Sequence, residues 1–275
     1  MIYICADDFG LSKESSKRIE ECIFEGGLNK VSIMPNTPFA GQSIKNAVPS
    51  LHLNLVEGKP LSKNTDTLIT ENGYFKYSFG GLLLKSVFPS KKFKLELEEE
   101  IKEQLDFYIK NISPGKPLMV DSHQHVHMIP LIFKTLMKAL KDSGADVKYV
   151  RIPSEPLMPY IKAVSLYLTY NPVNIIKQWV LKFLAFLNRK EIKKAGIAPS
   201  YFMGVLFSGK MDERVLKVLP YYKKLSEKRD IEILFHPGFI RKDEPIFDAN
   251  KKGFVDFYLS EGRKEEYDFI KRGVL

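Results

Sequence analysis

Cysteine is nearly absent: Cys5 and Cys22 are the two in 275 residues. They form neither a metal-binding pair nor a disulfide framework, and their apolar neighbours predict buried thiols. Acidic residues are in deficit, with 33 Asp and Glu against 42 Lys and Arg and a formal net charge of +9. No apolar run reaches the roughly 18–20 residues of a membrane span. No basic n-region, long apolar h-region or small-residue cleavage site precedes the first strand-like run, Met1-Ile2-Tyr3-Ile4-Cys5, so the expected location is the cytoplasm. There is no Gly-x-Ser-x-Gly elbow, no Walker A loop and no Gly-x-Gly-x-x-Gly turn. Serine-nucleophile and nucleotide-dependent chemistries are therefore disfavoured.

The basic excess suits an acidic partner. Its lysines are scattered, as in Lys91-Lys92-Phe93-Lys94 and Lys193-Lys194, and no nucleic-acid signature accompanies them. They predict a solvated surface and no nucleic-acid partner. The hydrophobic fraction of 44% is ample for one large core.

Short apolar runs alternate with helical patterns. Strands are expected at Ile2–Cys5, Lys30–Met34, Leu51–Leu55, Leu118–His123, Val147–Ile152 and Ile231–Phe235. Helices are expected at Glu14–Glu25, around Ala40–Ala47, at Phe93–Ile112, Leu131–Asp142 and Glu261–Lys271. Residues 59–90 read as a hairpin or an excursion from the core. Strands separated by helices imply parallel pairing with right-handed crossovers. The expected fold is α/β, an irregular TIM-like (β/α) barrel over residues 1–275, with a doubly wound open sheet as the alternative. Residues 156–199 break the rhythm and are expected to be a helical insertion. Its stretch Ile175–Leu184 is apolar, aromatic and basic, suited to packing on the barrel, to a dimer partner or to weak contact with a membrane surface.

Histidine is scarce and concentrated. All five, His52, His123, His125, His127 and His236, lie in or just after expected strands. If Asp121-Ser122-His123-Gln124-His125-Val126-His127 stays extended, Asp121, His123, His125 and His127 project to one side. Imidazole and carboxylate are the usual ligands of zinc and similar divalent ions, and neighbours that do not bind the ion can orient ligands or hold substrate. Asp7-Asp8-Phe9-Gly10 follows the first strand. Adjacent carboxylates there can divide the work, one holding a metal and the other taking a proton from water. His236-Pro237-Gly238 ends a strand at the rim where barrels keep their chemistry. Any of these taken singly is equally a helix cap, a turn or a satisfied core histidine.

Taken in order, Ala6-Asp7-Asp8-Phe9-Gly10-Leu11-Ser12, His52-Leu53-Asn54-Leu55-Val56-Glu57-Gly58-Lys59-Pro60-Leu61, Asp121 through Pro130, and His236-Pro237-Gly238 resemble the YdjC-like carbohydrate deacetylase family, which includes the diacetylchitooligosaccharide deacetylases. The resemblance implies a distorted (β/α) barrel, one divalent ion, Mg²⁺ or Zn²⁺, and often a homodimer. Carried over by position, it makes Asp8, His52 and His123 the metal ligands and Asp7 the catalytic base. It places His236 as a second acid/base or substrate-orienting group. Arg151, in Val150-Arg151-Ile152-Pro153, resembles a family segment that shapes the pocket. Asp121, His125 and His127 are then expected near substrate. Ser16 stands where family members often carry Asn.

The expected reaction is hydrolysis of the acetamide of an N-acetylated amino sugar or oligosaccharide by water activated at the ion. Competing expectations are another metal-dependent amidase or phosphoesterase, a deacetylase of lipid-linked or nucleotide sugars, and a catalytically silent metal-containing glycan-binding protein. Amidohydrolases commonly carry His-x-His at the end of the first strand, where this chain has Asp7-Asp8. A silent binder has no need of a second carboxylate there.

Overall fold

The computed structural model describes all residues except 42–43, 197–198, 226 and 274–275. Seven strands, β1 (Ile2–Phe9), β2 (Lys30–Ile33), β3 (Val48–Leu53), β4 (Leu118–Ser122), β5 (Val147–Val150), β6 (Tyr201–Met203) and β7 (Ile231–Phe235), form one sheet in the order β5-β4-β3-β2-β1-β7-β6. Every neighbouring pair is parallel. The main crossovers are α1 (Lys13–Gly26), α3 (Lys91–Phe107) and α4 (Pro130–Asp142), with the shorter α2 (Phe79–Lys85) ahead of α3. Between β5 and β6 run α5 (Met158–Lys162) and α6 (Pro172–Ala195). The chain closes with α7 (Arg214–Leu225), α8 (Lys252–Tyr258) and α9 (Glu261–Lys271).

α1 starts where the Ser12 hydroxyl accepts from the Ser15 amide and stops at Gly27, φ 82°. Residues 59–90 pair only through the Ile69–Phe75 bridge, with Gly73 at the turn at φ 79°. The helix expected around Ala40–Ala47 does not form among its described residues; Gln42 and Ser43 lie outside them. The exit of α3 is a π-helical turn, Tyr108–Ile112, which completes the long helix expected there.

Alternation along the strands sorts two kinds of core. One face of β1 to β4 carries Ala6, Val31, Ile33, Leu51, Leu53 and Val120, all buried in the hydrophobic core with the crossover helices. The other face is polar and dry: Asp7 on β1, Lys30 and Ser32 on β2, Ser50 and His52 on β3, Asp121 on β4 and Glu232 on β7 are all buried. In the strand order β4 and β7 are four places apart, about 19 Å in a flat sheet at the usual strand spacing. Yet Arg151, just past β5, places Nη2 2.6 Å from Glu232 and 3.3 Å from Asp121. Lys30 Nζ likewise reaches Glu232 at 2.8 Å and Asp121 at 3.3 Å. These contacts require the sheet to curl around its polar face. Its outer edges meet through side chains, with Tyr149 Oη 2.7 Å from Ser200 Oγ. No backbone ladder joins β5 to β6 among the described residues. The doubly wound, flat alternative is thereby set aside.

Glu232 anchors this interior. Burial alone would raise its carboxyl, but Arg151 and Lys30 pull it from an ordinary 4.5 down to about 2. A folded-state pKa below the unfolded one stabilises the fold above about pH 4.5, and that contribution drains away as pH falls towards 2. Equilibrium urea midpoints are expected to fall across this window. Glu232→Ala leaves two buried cations short of a partner and is expected to lower unfolding stability by about 3–5 kcal/mol at neutral pH. A variant as stable as the parent would contradict this role.

Candidate metal and catalytic centre

The C-terminal ends of β1, β3 and β4 converge, and each delivers a different group. β1 loses register with β2 between Ala6 and Phe9, and Asp8 sits in the left-handed region at φ 67°. That bulge turns adjacent carboxylates apart: Asp7 faces the curled interior, while Asp8 reaches towards the following loops. Gly10, at φ 103°, has no room for a side chain, because a Cβ there would lie 2.4 Å from Thr37 Oγ1. Non-glycine positive φ is uncommon and costs energy. Among the described residues it occurs at Asp8, Asn46, Gln124 and His125, three of which belong to this centre.

The stretch expected to remain extended does not. β4 ends at Ser122, and His123–Met128 forms a tight, kinked turn, left-handed at Gln124 (φ 52°) and His125 (φ 58°). The turn sends the three histidines to separate places. His123 Nδ1 lies 2.8 Å from Asp8 Oδ1, and its Nε2 lies 3.1 Å from Glu57 Oε2. His125 stands edge-on to Phe202, with Nδ1 buried and unpaired. Its burial, reinforced by the nearby Arg151 charge, holds this ring well below the usual imidazole range, so it is neutral. His127 has both nitrogens engaged, Nε2 2.7 Å from the Arg151 carbonyl and Nδ1 2.5 Å from Ser122 Oγ. Burial brings it down to about 4. Rather than meeting substrate, His127 is a neutral cross-link between the end of β4 and the segment after β5.

Asp121 is also displaced from its expected role at substrate. It is fully buried behind His52, accepting from His52 Nδ1 at 2.6 Å, Ser50 Oγ at 2.7 Å and Ser32 Oγ at 2.8 Å. This fixes the His52 ring so that Nε2 points outward, 3.4 Å from Asp8 Oδ1 and 3.9 Å from Asp7 Oδ2. A carboxylate behind a histidine is the usual support of a metal-ligating imidazole.

Asp7 is gripped side-on by Arg151, with Nη1 to Oδ2 at 2.7 Å and Nη2 to Oδ1 at 2.9 Å. Burial opposes ionisation, but the guanidinium and His52 lower the Asp7 carboxyl below its usual range. Asp8 is held well below its usual range against the same burial cost, by His123 and by Arg263, which bonds Asp8 Oδ2. Arg263 also donates to the Gly238 carbonyl at 3.2 Å, tying Asp8 to the His236-Pro237-Gly238 loop. Ala6 pairs with Phe235, so His236 leaves β7 beside Asp7. Its amide donates to Glu266 Oε2 at 2.5 Å, its ring packs edge-on to Phe257, and Nδ1 has no hydrogen-bond partner.

Two groups here escaped the sequence-based site set. Glu57 is fully buried, with Oε2 bonded by Tyr258 and Oε1 unpaired. It is placed by Asn54, whose Oδ1 accepts from the Val56 and Glu57 amides at 3.1 Å each. Glu57 lay inside the motif that begins at His52. Arg263 lies on an amphipathic helix near the C-terminus and carried no local signal.

Asp8, His52 and His123 each offer a ligand atom within 4.8 Å of the others, as do Asp7, His52 and Asp121. The first group fits a divalent ion better: Arg263 takes only Asp8 Oδ2 and leaves Oδ1 facing both imidazoles, whereas Arg151 holds both oxygens of Asp7, and Asp121 is paired with Lys30 and Arg151. The charge state agrees. Burial alone would lower both rings, but Asp7, Asp121 and Asp8 carry His52 up to about 10, and Asp8 with Glu57 carries His123 up to about 9. Two protons thus occupy a place whose surroundings demand positive charge.

The structure is thus a curled parallel α/β sheet with a carboxylate–imidazole group at its strand ends that could hold a cation. The chain belongs to the YdjC-like family, whose model, described as YdjC-like protein, matches residues 1–273. It is similar to a carbohydrate deacetylase of Thermoanaerobacter pseudethanolicus, 27% identical over 84% of this chain and 89% of that one. It is similar to a carbohydrate deacetylase of Xenopus laevis, 27% identical over 100% of this chain and 92% of that one. The match to the Danio rerio carbohydrate deacetylase, at 28% identity, spans 76% of this chain and 66% of that protein. Among solved structures, a putative cellobiose-phosphate cleavage protein of Enterococcus faecalis superposes with a TM-score of 0.66 at 20% identity, over 98% of this chain and 90% of that one, which bears on the fold alone.

Calorimetric titration of Zn²⁺ or Mn²⁺ is expected to give one tight site. Asp121→Asn should weaken it roughly 10–100-fold by freeing the His52 ring. His127→Gln should leave affinity within about twofold while lowering stability by about 1–3 kcal/mol. Equal losses of affinity in both variants would contradict the division of labour. Because binding must displace protons from His52 and His123, affinity should rise with pH up to about 10.

Proposed function

We propose that this chain is a metal-dependent carbohydrate deacetylase that hydrolyses the acetamide of an N-acetylated amino sugar or oligosaccharide. The observation that carries the proposal is the division of Asp7 and Asp8 at one strand end. One carboxylate faces the cation-competent group, and the other is held ionised beside it by Arg151. The names of the relatives give the acetylated carbohydrate as substrate class. The curled sheet is read here as an irregular seven-stranded (β/α) barrel with its pocket at the C-terminal rim.

Asp8, His52 and His123 would hold the ion, Mg²⁺ or Zn²⁺. When bound, it supplies Lewis acidity, lowering the pKa of water and polarising the amide carbonyl. Asp7 takes the proton of the attacking water. Arg151 keeps Asp7 charged and fixes its direction, so its depressed pKa is offset by placement. The leaving nitrogen needs a proton. His125 is neutral and His127 has both nitrogens committed, which leaves His236, at the end of β7 with Nδ1 3.8 Å from the Glu266 carboxylate, as donor. The bond broken is the amide C–N bond; acetate and a free amine result.

Asp7→Asn keeps the shape of the carboxylate but cannot accept the proton. It is expected to lower acetate release from an N-acetylated chitooligosaccharide panel roughly 100- to 10,000-fold. Its divalent-ion affinity should stay near that of the parent. Chelation with EDTA should abolish release, and added metal should restore it. Acetate release that survives both treatments would refute the proposal, as would loss of ion binding in Asp7→Asn.

A further inference from the structure

α6 is amphipathic the wrong way round. The face turned to the protein carries Asn174, Gln178 and Asn188 beside Leu181 and Leu184. These amides donate to backbone carbonyls: Asn174 to Ser208 at 2.9 Å, Gln178 to Glu155 at 3.0 Å and Asn188 to Met128 at 2.7 Å. The face turned to solvent carries Ile176, Trp179, Phe183, Phe186 and Leu187, with Trp179 and Phe183 each 60% exposed. A surface helix normally does the opposite, and a contiguous apolar patch of this kind marks an interaction site. The 3-10 turn before it adds exposed Val164 and Leu168.

A second exposed apolar cluster follows α2, at Leu84, Val87 and Phe88, the last 89% exposed. α2 and α6 are distant in sequence, yet both pack against the His123–Met128 turn. The helices that carry the two apolar clusters therefore both adjoin the segment with His123 and His125.

Charge selects the partner. α6 bears Lys177, Lys182, Arg189, Lys190, Lys193 and Lys194 against the single acid Glu191. Lys85, Lys91 and Lys92 surround Phe88 in the sequence. Exposed aromatic residues set among lysines match the boundary between anionic headgroups and acyl chains. Two copies of this chain paired through α6 would set two such basic faces against each other. Among the described residues no helix is long and apolar enough to cross a membrane.

We propose that α6, with the Leu84–Phe88 cluster, docks this protein peripherally on an anionic lipid bilayer, α6 lying in the plane of the interface. That docking brings the turn carrying His123 beside the lipid, where an acetylated sugar carried on a lipid is within reach. This last consequence rests on the deacetylase proposal; the docking does not.

The sole tryptophan of the chain is Trp179, so emission from the intact protein reports on this face directly. Vesicles of equimolar phosphatidylcholine and phosphatidylglycerol are expected to shift Trp179 emission to the blue and to carry the protein upward in a density gradient. Phosphatidylcholine alone should do neither, and high salt should weaken both effects. Phe183→Glu/Phe186→Glu keeps the reporter and should lose roughly tenfold or more in vesicle affinity. Its circular dichroism and divalent-ion binding should match those of the parent. The proposal is overturned if the parent does not bind the anionic vesicles, or if the variant binds them equally well. It is also overturned if the blue shift arises without lipid as the protein dimerises. Since no substrate is present, failure here leaves the deacetylase proposal untouched.

Discussion

Arg151 is a guanidinium buried away from bulk solvent. It lies just beyond β5, fully buried, and meets Asp7 from β1, Asp121 from β4 and Glu232 from β7. Isolated in a dry interior, any one of these ions would be intolerable. Together they are mutually satisfied only if the sheet curls, so the same contacts that hold the curled sheet also set the direction of the Asp7 carboxylate. Replacing such a network by apolar residues is often neutral for stability, whereas removing one member is costly. The network also does work at the rim, where Arg151 holds both oxygens of Asp7.

That work is to separate two adjacent aspartates. The bulge at the end of β1 and the left-handed backbone of Asp8 send neighbouring carboxylates to different partners, Asp7 to Arg151 and Asp8 to His123 and Arg263. The tight turn after β4 performs the same sorting on the histidines, making one a ligand candidate, one a neutral group against Phe202 and one a structural cross-link. Strained backbone at three of these positions is held by the buried contacts around them.

Much of this was legible beforehand. β7 and α9 have the bounds expected of them: β7 is a short run in which only Glu232 is polar, and α9 is an amphipathic helix that buries Phe269 and Ile270. Asp8, His52 and His123 converge as the family resemblance implies. His52 lies on the face opposite Leu51 and Leu53, as the period of two in the expected Leu51–Leu55 strand requires. The extended reading of Asp121–His127 failed because a turn built from positive-φ Gln124 and His125 has no signature in residues so often found elsewhere. β6, three residues long, and α7 were too short or too mixed to stand out. Arg263 and the Lys30–Glu232 pair were out of reach for a different reason. Each is an ordinary charged residue until the fold brings together segments far apart in sequence, β2 with β7 and α9 with the end of β1.

The central claim is that the ion belongs between Asp8, His52 and His123, with Asp7 beside it and not among its ligands. Anomalous X-ray scattering from crystals grown with Mn²⁺ or Zn²⁺ tests this most directly. A single peak bounded by Asp8, the His52 Nε2 atom and His123, with Asp7 still gripped by Arg151, is the predicted result. A peak bounded by Asp7, His52 and Asp121 would make Asp7 a ligand, displace Arg151 from its role and contradict the account.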